Sequence, residues 1–259
     1  MNAVAIIPAR YASGRLPGKP LRKLCGKPLV QWVWEAASKA RNLSRVIIAA
    51  DSERIAAVCR RFGADTVIIP DDVPSGTDRV ARAYERLRLQ AAFVLNVQAD
   101  EPLLQPQHIE MLITSLAEHA HWDAATLVQP IKTTEELLSP AVVKVVLRAD
   151  RSALYFSRAP IPYVRAHSLE ELLHTAHFWK HVGIYAYRAP ILQRFCMLPA
   201  SPLERAEGLE QLRLLEAGYT IGCLPAEGFL MGVDTAEQLA QLRRWFRSTL
   251  RCRQARQTP

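Results

Sequence analysis

No run of roughly 18 uninterrupted apolar residues occurs in the chain, which excludes a membrane-spanning helix. The first residues, Met1–Pro8, place no basic region ahead of an apolar stretch, so the sequence reads as soluble and cytoplasmic. Cysteines are few and odd in number: Cys25, Cys59, Cys196, Cys223 and Cys252 are scattered and form no C-x-x-C pair. That spacing argues against a disulfide framework and a zinc site alike. Low-complexity blocks, internal repeats and Gly/Ser tracts are also missing, so nothing marks a linker between domains.

Acidic residues are outnumbered, 25 against 33 lysines and arginines, and the net charge of +8 suits an anionic partner. Nucleic acid, a membrane surface and a small phosphorylated substrate all satisfy that charge. Six arginines fall between Arg243 and Arg256, a stretch that reads as a solvated helix end. A nucleic-acid-binding tail is the rival reading, but it calls for aromatic platforms among the basic residues, and only Trp245 and Phe246 interrupt the run. No nucleic-acid partner is therefore expected.

What is present is a chain of 259 residues, 49% hydrophobic and 22% charged, enough for one substantial core. Short β-branched runs alternate with helix-period stretches: strands at Ala3–Pro8, Val46–Ala50, Thr66–Ile69 and Phe93–Val97, helices at Leu29–Ala40, Ser52–Phe62, Thr77–Leu87 and Pro106–Glu118. This is the pattern of an α/β fold, Rossmann-like, with a largely parallel sheet and helices on both faces. The second half departs from it. Strands at Ala124–Val128, Val142–Leu147, Lys180–Tyr187 and Thr220–Leu224 are joined by irregular, proline-bearing connections, which implies a mixed sheet. Helices are expected there over Pro190–Met197, Pro202–Glu216 and Ala236–Phe246. The layout is a single domain, 1–259, with a nucleotide-binding half (about 1–120), a substrate-binding half (121–250) and a basic tail (251–259).

The segment Ile7-Pro-Ala-Arg-Tyr-Ala-Ser-Gly-Arg-Leu-Pro-Gly-Lys-Pro20 follows the first strand and carries Arg10, Arg15 and Lys19 with Gly14 and Gly18. Glycines let the backbone approach phosphates, exposed amides bind their oxygens, and the cations offset their charge. It is not a Walker A loop, because Lys19 is followed by proline where that motif has Ser or Thr. Asp100 and Glu101 stand just past the strand Phe93–Val97, at the carboxyl end where open α/β sheets bind ligands. Asp234 precedes a helix and can either cap it or bind a metal. Ser75 is likewise open between a helix N-cap, with Asp78 three residues on, and a contact to a base. Arg79 lies in the first turn of the same helix, where the dipole disfavours a cation unless an anion is near. Lys144 lies amid valines, where its charge must find a partner or solvent.

The first segment, continued by Gly26-Lys-Pro28, resembles the N-terminal signature of sugar nucleotidyltransferases, and the chain is most similar within them to the CMP-Kdo synthetase family (3-deoxy-manno-octulosonate cytidylyltransferases). Seven further segments recur in that family's order: Pro74-Ser-Gly-Thr-Asp-Arg79, Asn96-Val-Gln-Ala-Asp-Glu-Pro102, Val143-Lys-Val-Val146, Tyr155-Phe-Ser-Arg-Ala-Pro-Ile-Pro162, His181-Val-Gly-Ile-Tyr185, Leu209-Glu-Gln-Leu-Arg213 and Gly232-Val-Asp-Thr235. The resemblance implies CTP and the acidic sugar Kdo as substrates, magnesium held by Asp100 and Asp234, and a role in lipopolysaccharide or capsule synthesis. Ala9, Arg10, Lys19, Ser75, Gly76, Thr77, Arg79 and Gln98 are implied to bind the nucleotide. Arg15, Arg158, His181, Tyr185, Glu210 and Gln211 are implied to bind the sugar, with Arg10, Arg15, Lys19, Asp100 and Asp234 serving catalysis. A homodimer is expected. Another acidic sugar, such as a sialic acid or an amino analogue of Kdo, is the alternative substrate. The chain departs from the family at Ala99, where glycine is usual, and before Gly232, where Gly-Phe-Leu-Met replaces a Pro-Gly turn. A methyl at Ala99 requires a negative φ.

Overall fold

All seven residues of the first strand, β1 (Ala3–Ala9), are buried, as a parallel strand covered on both faces requires. Its side chains divide by the twofold period of a strand: Ala3, Ala5, Ile7 and Ala9 enter one hydrophobic cluster, Val4 and Ile6 the cluster on the opposite face. The computed structural model describes residues 2–12, 15–70, 73–165, 171, 173 and 177–255. Gly14 of the phosphate loop and residues 256–259 of the basic tail lie outside the described residues.

Among the described residues nine strands make the main sheet, in the order β11 (Ile221–Pro225), β7 (Ala124–Pro130), β10 (Trp179–Arg188), β6 (Phe93–Val97), β1, β4 (Leu43–Ala50) and β5 (Asp65–Ile68), with β8 (Lys144–Leu147) joined to β10 and β9 (Ala153–Ser157) to β8, while β2 (Lys23–Leu24) and β3 (Lys27–Pro28) pair as a separate hairpin. β4 (Leu43–Ala50) and β6 (Phe93–Val97) run parallel to β1 on either side, and β5 (Asp65–Ile68) runs parallel to β4. The chain thus winds outward from β1 to β5 and returns across it to β6. Helices α1 (Leu29–Ala37), α2 (Glu53–Arg61), α3 (Gly76–Arg86) and α4 (Pro106–Glu118) make the crossovers. β10 (Trp179–Arg188) lies antiparallel between β6 and β7 (Ala124–Pro130), and β11 (Ile221–Pro225) is parallel to β7. This is the mixed, mostly parallel α/β sheet expected from the sequence.

In the second half, α5 (Thr134–Leu138) and β9 (Ala153–Ser157), paired with β8 (Lys144–Leu147), are elements the periodicity did not reveal. α6 (Ala189–Met197) follows β10 directly. The single helix expected over 202–216 is two, α7 (Pro202–Glu207) and α8 (Leu212–Glu216), because Gly208 ends the first in a left-handed conformation at φ 62°. α9 (Ala236–Ala255) runs beyond the expected Phe246, since no proline or glycine follows to stop it. Among the described residues no helix is long and apolar enough to cross a membrane.

Candidate active site

β1 and β6 end side by side, and the chain leaves them in opposite directions, so a crevice opens beyond their carboxyl ends. The loop after β1 is held by the Tyr11 amide on the Asp51 carboxylate and by Gly18 N donating to Tyr11 O at 2.9 Å. Gly18 has φ +67° and a Cβ there would stand 3.0 Å from the Tyr11 ring, so both torsion and space demand glycine. The next residue starts a 3-10 turn, Lys19–Leu21, that aims Lys19 back at the strand ends.

Lys19 Nζ donates to the carboxylate of Asp100 and to Asp234 Oδ1 at 2.9 Å, and Arg15 Nη2 pairs with Asp234 Oδ2 at 3.0 Å. Four of the residues expected to share the chemistry therefore meet at one point. Burial works against the charge on Lys19, but Asp100 and Asp234 hold its pKa above the usual lysine value. Burial likewise opposes the Asp234 carboxylate, and Lys19 and Arg15 prevail, leaving its pKa below the usual range. The cap beside it belongs to Thr235: Gln238 N donates to Thr235 Oγ1 at 3.2 Å, and Gln238 Oε1 accepts from the amides of Asp234 and Thr235 at 2.7 and 3.1 Å. The capping alternative for the Asp234 carboxylate is thus corrected. Two carboxylates gathered around one cation form a donor set that fits a hard divalent ion completing its shell with water and phosphate. Among the described residues, no group of three or more His, Cys, Asp or Glu could hold a metal.

Glu101, beside Asp100, is enclosed: burial, then the charges of Asp100 and Asp234, push its carboxyl up to about 8. Its Oε2 has no hydrogen-bond partner, and a Cβ on Gly232 would stand 3.0 Å from its Oε1. A side chain at 232 would crowd it, and the Glu101 carboxyl would have to give way by a few tenths of an ångström. Positive φ occurs among the described non-glycine residues only at Cys25, Arg88 and Arg151, so Ala99 carries its methyl without strain.

A cavity of about 130 Å³ lies against these carboxylates, lined by Pro8, Arg10, Lys19, Pro20, Val73, Ser75, Gly76, Arg79, Gln98, Ala99, Asp100 and Glu210. Most of the residues expected to bind a nucleotide face it. Thr77 and Ala9 are buried behind the lining. Ser75 caps α3 fully: its Oγ accepts from Asp78 N at 3.1 Å and donates to Asp78 Oδ2 at 2.6 Å. Arg79 is buried, with its guanidinium on the carbonyls of Ile69 and Pro70.

Of the expected sugar residues, only Glu210 lines this cavity, and it is bonded to the nucleotide half through Thr77 Oγ1 at 2.7 Å. Arg158 is turned elsewhere: its guanidinium donates to the carbonyls of Glu207 at 2.8 Å, Pro140 at 2.9 Å and Gly208 at 3.3 Å. It ties the loop before β8 to the α7–α8 junction, just ahead of Glu210. Lys144 supports the same corner, its ammonium donating to the carbonyls of Ser139 at 2.9 Å, Val142 at 2.6 Å and Arg158. The His181 ring meets Phe156 edge-on at 5.4 Å and Tyr185 at 5.2 Å, and burial pushes its pKa down to about 3. Thr126 Oγ1 gives its proton to the carbonyls of Val182 and Ile184, so His181 Nε2, 3.1 Å away, is the donor to Thr126. The neutral imidazole then keeps Nδ1 as an acceptor. Tyr185 Oη is buried without a hydrogen-bond partner, and Gln211 is buried at the start of α8.

A doubly wound sheet with a cationic loop after its first strand, and aspartates gathered by a lysine at the switch point, defines an α/β nucleotidyltransferase. A family model described as cytidylyltransferase matches residues 4–221, and the chain belongs to that family. It is 47% identical over 250 residues to the 3-deoxy-manno-octulosonate cytidylyltransferase of Chlorobaculum tepidum, covering 95% of this chain and 98% of that one. The enzyme of the same name from Pseudomonas fluorescens is also 47% identical, over 92% of this chain and 96% of its own. Among solved structures, CMP:2-keto-3-deoxy-manno-octonic acid synthetase complexed with CTP superposes with a TM-score of 0.88 at 39% identity, covering 96% of this chain and all of that one.

Proposed function

We propose that this protein transfers CMP from CTP to the anomeric hydroxyl of Kdo, giving CMP-Kdo and pyrophosphate for lipopolysaccharide or capsule synthesis. The observation that carries this reading is Lys19 held between Asp100 and Asp234 on the wall of a cavity that also presents Gln98, Gly76 and Glu210. Phosphate chemistry and base recognition share one crevice. The high identity to enzymes named for this reaction supports the same substrates.

In this reading Arg10, Arg15 and Lys19 bind the triphosphate, and the sugar hydroxyl attacks the α-phosphorus in line, displacing pyrophosphate. No covalent enzyme intermediate is required, and the protein's contribution is positioning and charge neutralisation. Asp100 and Asp234 would hold magnesium, which when bound offsets the negative charge of the triphosphate and of the sugar acid. Lys19 then moves its ammonium from the carboxylates onto phosphate. His181 and Tyr185 would meet the sugar as uncharged polar groups, the imidazole held neutral by burial. Residues 1–259 act as one nucleotidyltransferase domain, a reading supported by the pairing of β6 with β10 across its two halves. A homodimer remains the assembly that the resemblance implies, and sedimentation velocity tests it. CTP as a substrate supports a cytoplasmic location. Pyrophosphate release measured across four nucleoside triphosphates and a panel of free sugar acids and sugar phosphates tests the whole reading. CTP with Kdo is the expected best pair; use of glucose 1-phosphate with refusal of every sugar acid overturns it.

A further inference from the structure

We propose that Asn96 and Glu210 set the choice of CTP over UTP by fixing which end of the Gln98 carboxamide faces the base. The inference rests on the reading of the cavity as a cytidine site, and it deepens that reading by adding two residues that need not touch the nucleotide.

Four side chains form a directed hydrogen-bond chain. Thr77 Oγ1 donates to Glu210 Oε2 at 2.7 Å, Asn96 Nδ2 donates to Thr77 Oγ1 at 3.2 Å, and Gln98 Nε2 donates to Asn96 Oδ1 at 2.9 Å. Asn96 and Thr77 are 1% and 3% exposed, so water does not substitute for these partners. The direction is imposed from one end. A carboxylate oxygen accepts and does not donate, so Thr77 must spend its single proton on Glu210. The threonine oxygen then offers only lone pairs, which forces the amino end of Asn96 toward it. The carbonyl end of Asn96 is left facing Gln98, which must answer with its own amino group. Gln98 therefore turns Oε1 outward on the cavity wall, where among the described residues it receives no hydrogen bond.

Cytosine and uracil differ along one edge: cytosine carries an amino donor at its 4-position, where uracil carries a carbonyl acceptor. An outward acceptor on Gln98 pairs with the amino group and meets the lone pairs of the carbonyl. In isolation a glutamine adapts by rotating its amide through a half-turn. Here rotation sets Oε1 against Asn96 Oδ1, acceptor against acceptor in a buried site, so the chain withholds that escape. Glu210 accepts from the Thr77 amide as well, at 3.3 Å, which fixes its oxygen at the head of the chain.

The test uses the full-length protein, with CTP and UTP binding measured by calorimetry without sugar, and kcat/KM for both nucleotides with Kdo. Wild type is expected to favour CTP about 5- to 150-fold, the range set by leaving one buried polar group unpaired. Glu210→Ala frees the Thr77 proton, and Asn96→Leu frees the Gln98 amide; each should bring the CTP-to-UTP ratio close to one. Glu210→Gln, whose amide oxygen can still accept from Thr77, should keep the wild-type ratio. Because the buried Asn96 variant can fail to fold, the Glu210 pair decides alone in that event. A merely structural role weakens both nucleotides in parallel. Variants at 210 and 96 that lose affinity with the ratio preserved overturn the proposal while the functional reading stands. A wild type that binds UTP as well as CTP overturns both.

Discussion

Val233 N donates to the carbonyl oxygen of Asp100 at 2.9 Å, and this one main-chain bond places Asp234 beside a residue far away in sequence. Both aspartates then share Lys19. The site is made from a strand end and a returning loop, and neither supplies it alone.

That arrangement separates activity from stability. Asp100→Asn and Asp234→Asn should each reduce turnover at least about 100-fold, the scale of losing a positioned electrostatic contact, while Tm stays near that of wild type. Thr235→Ala should do the opposite, costing about 0.5–2 kcal/mol through the lost cap with most of the activity retained. Thermal melts and pyrophosphate assays on the three variants check this. A collapsed Tm for Asp234→Asn with Thr235→Ala unaffected would return the capping role to Asp234.

Ser75 is the companion case. Its hydroxyl is committed in both directions to Asp78, so Ser75→Ala should cost about 0.5–2 kcal/mol of stability and leave CTP affinity nearly unchanged. Denaturant unfolding and calorimetric CTP titration make the comparison. A large loss of CTP binding without a loss of stability would show that the hydroxyl leaves its cap to meet the base.

The first half of the fold was legible because a doubly wound sheet writes itself as solid apolar strands such as Val94 and Leu95 between amphipathic helices. The convergence of Lys19, Asp100 and Asp234 was also legible, through loops of recognisable residue type. β9 is hidden in the sequence because Tyr155, Phe156 and Ser157 carry no clean twofold alternation, and the break at Gly208 because the apolar period continues past it. Asn96 is silent in the sequence for a physical reason. A polar residue in a buried strand looks structural until its partners are known, and the partners of Asn96 come from α3 and the β6 end.

Acid should weaken the protein partly through His181. Its folded pKa is about 3 against an ordinary 6.5, so the unfolded state binds the proton more readily. The resulting stability is present in full above about pH 6.5 and is lost progressively as pH falls toward 3. Urea unfolding at pH 7, 6, 5 and 4 should show a downward slope that His181→Gln reduces. A slope unchanged by that substitution would assign the acid sensitivity to other groups, such as Glu204 and Glu207, whose pKa values are lowered despite burial because the Arg213 guanidinium pairs with the first and the Arg158 main-chain amide and Ser157 hydroxyl donate to the second.

Arg158 gives the sharpest contrast between the sequence reading and the geometry. Family resemblance points its guanidinium at the sugar carboxylate, yet each of its three nitrogens donates to a carbonyl, of Glu207, Pro140 and Gly208 in turn. Those carbonyls flank the turn that delivers Glu210 to Thr77, and the Arg158 carbonyl is in turn held by Lys144. Removing the fork leaves three acceptors without their donors, each worth about 1–3 kcal/mol where water cannot enter and less where it can. Arg158→Ala should therefore lower stability and raise KM for Kdo and CTP together, because it loosens the segment that carries Glu210. Arg158→Lys should rescue little, since an ammonium cannot reproduce the planar fork. Lys144→Met should mimic it, destabilising by about 2–5 kcal/mol through the unpaired carbonyls. Steady-state kinetics with each substrate varied, beside denaturant melts, distinguish the roles: a rise in KM confined to Kdo with stability intact means that the guanidinium swings into the pocket and binds the sugar acid itself.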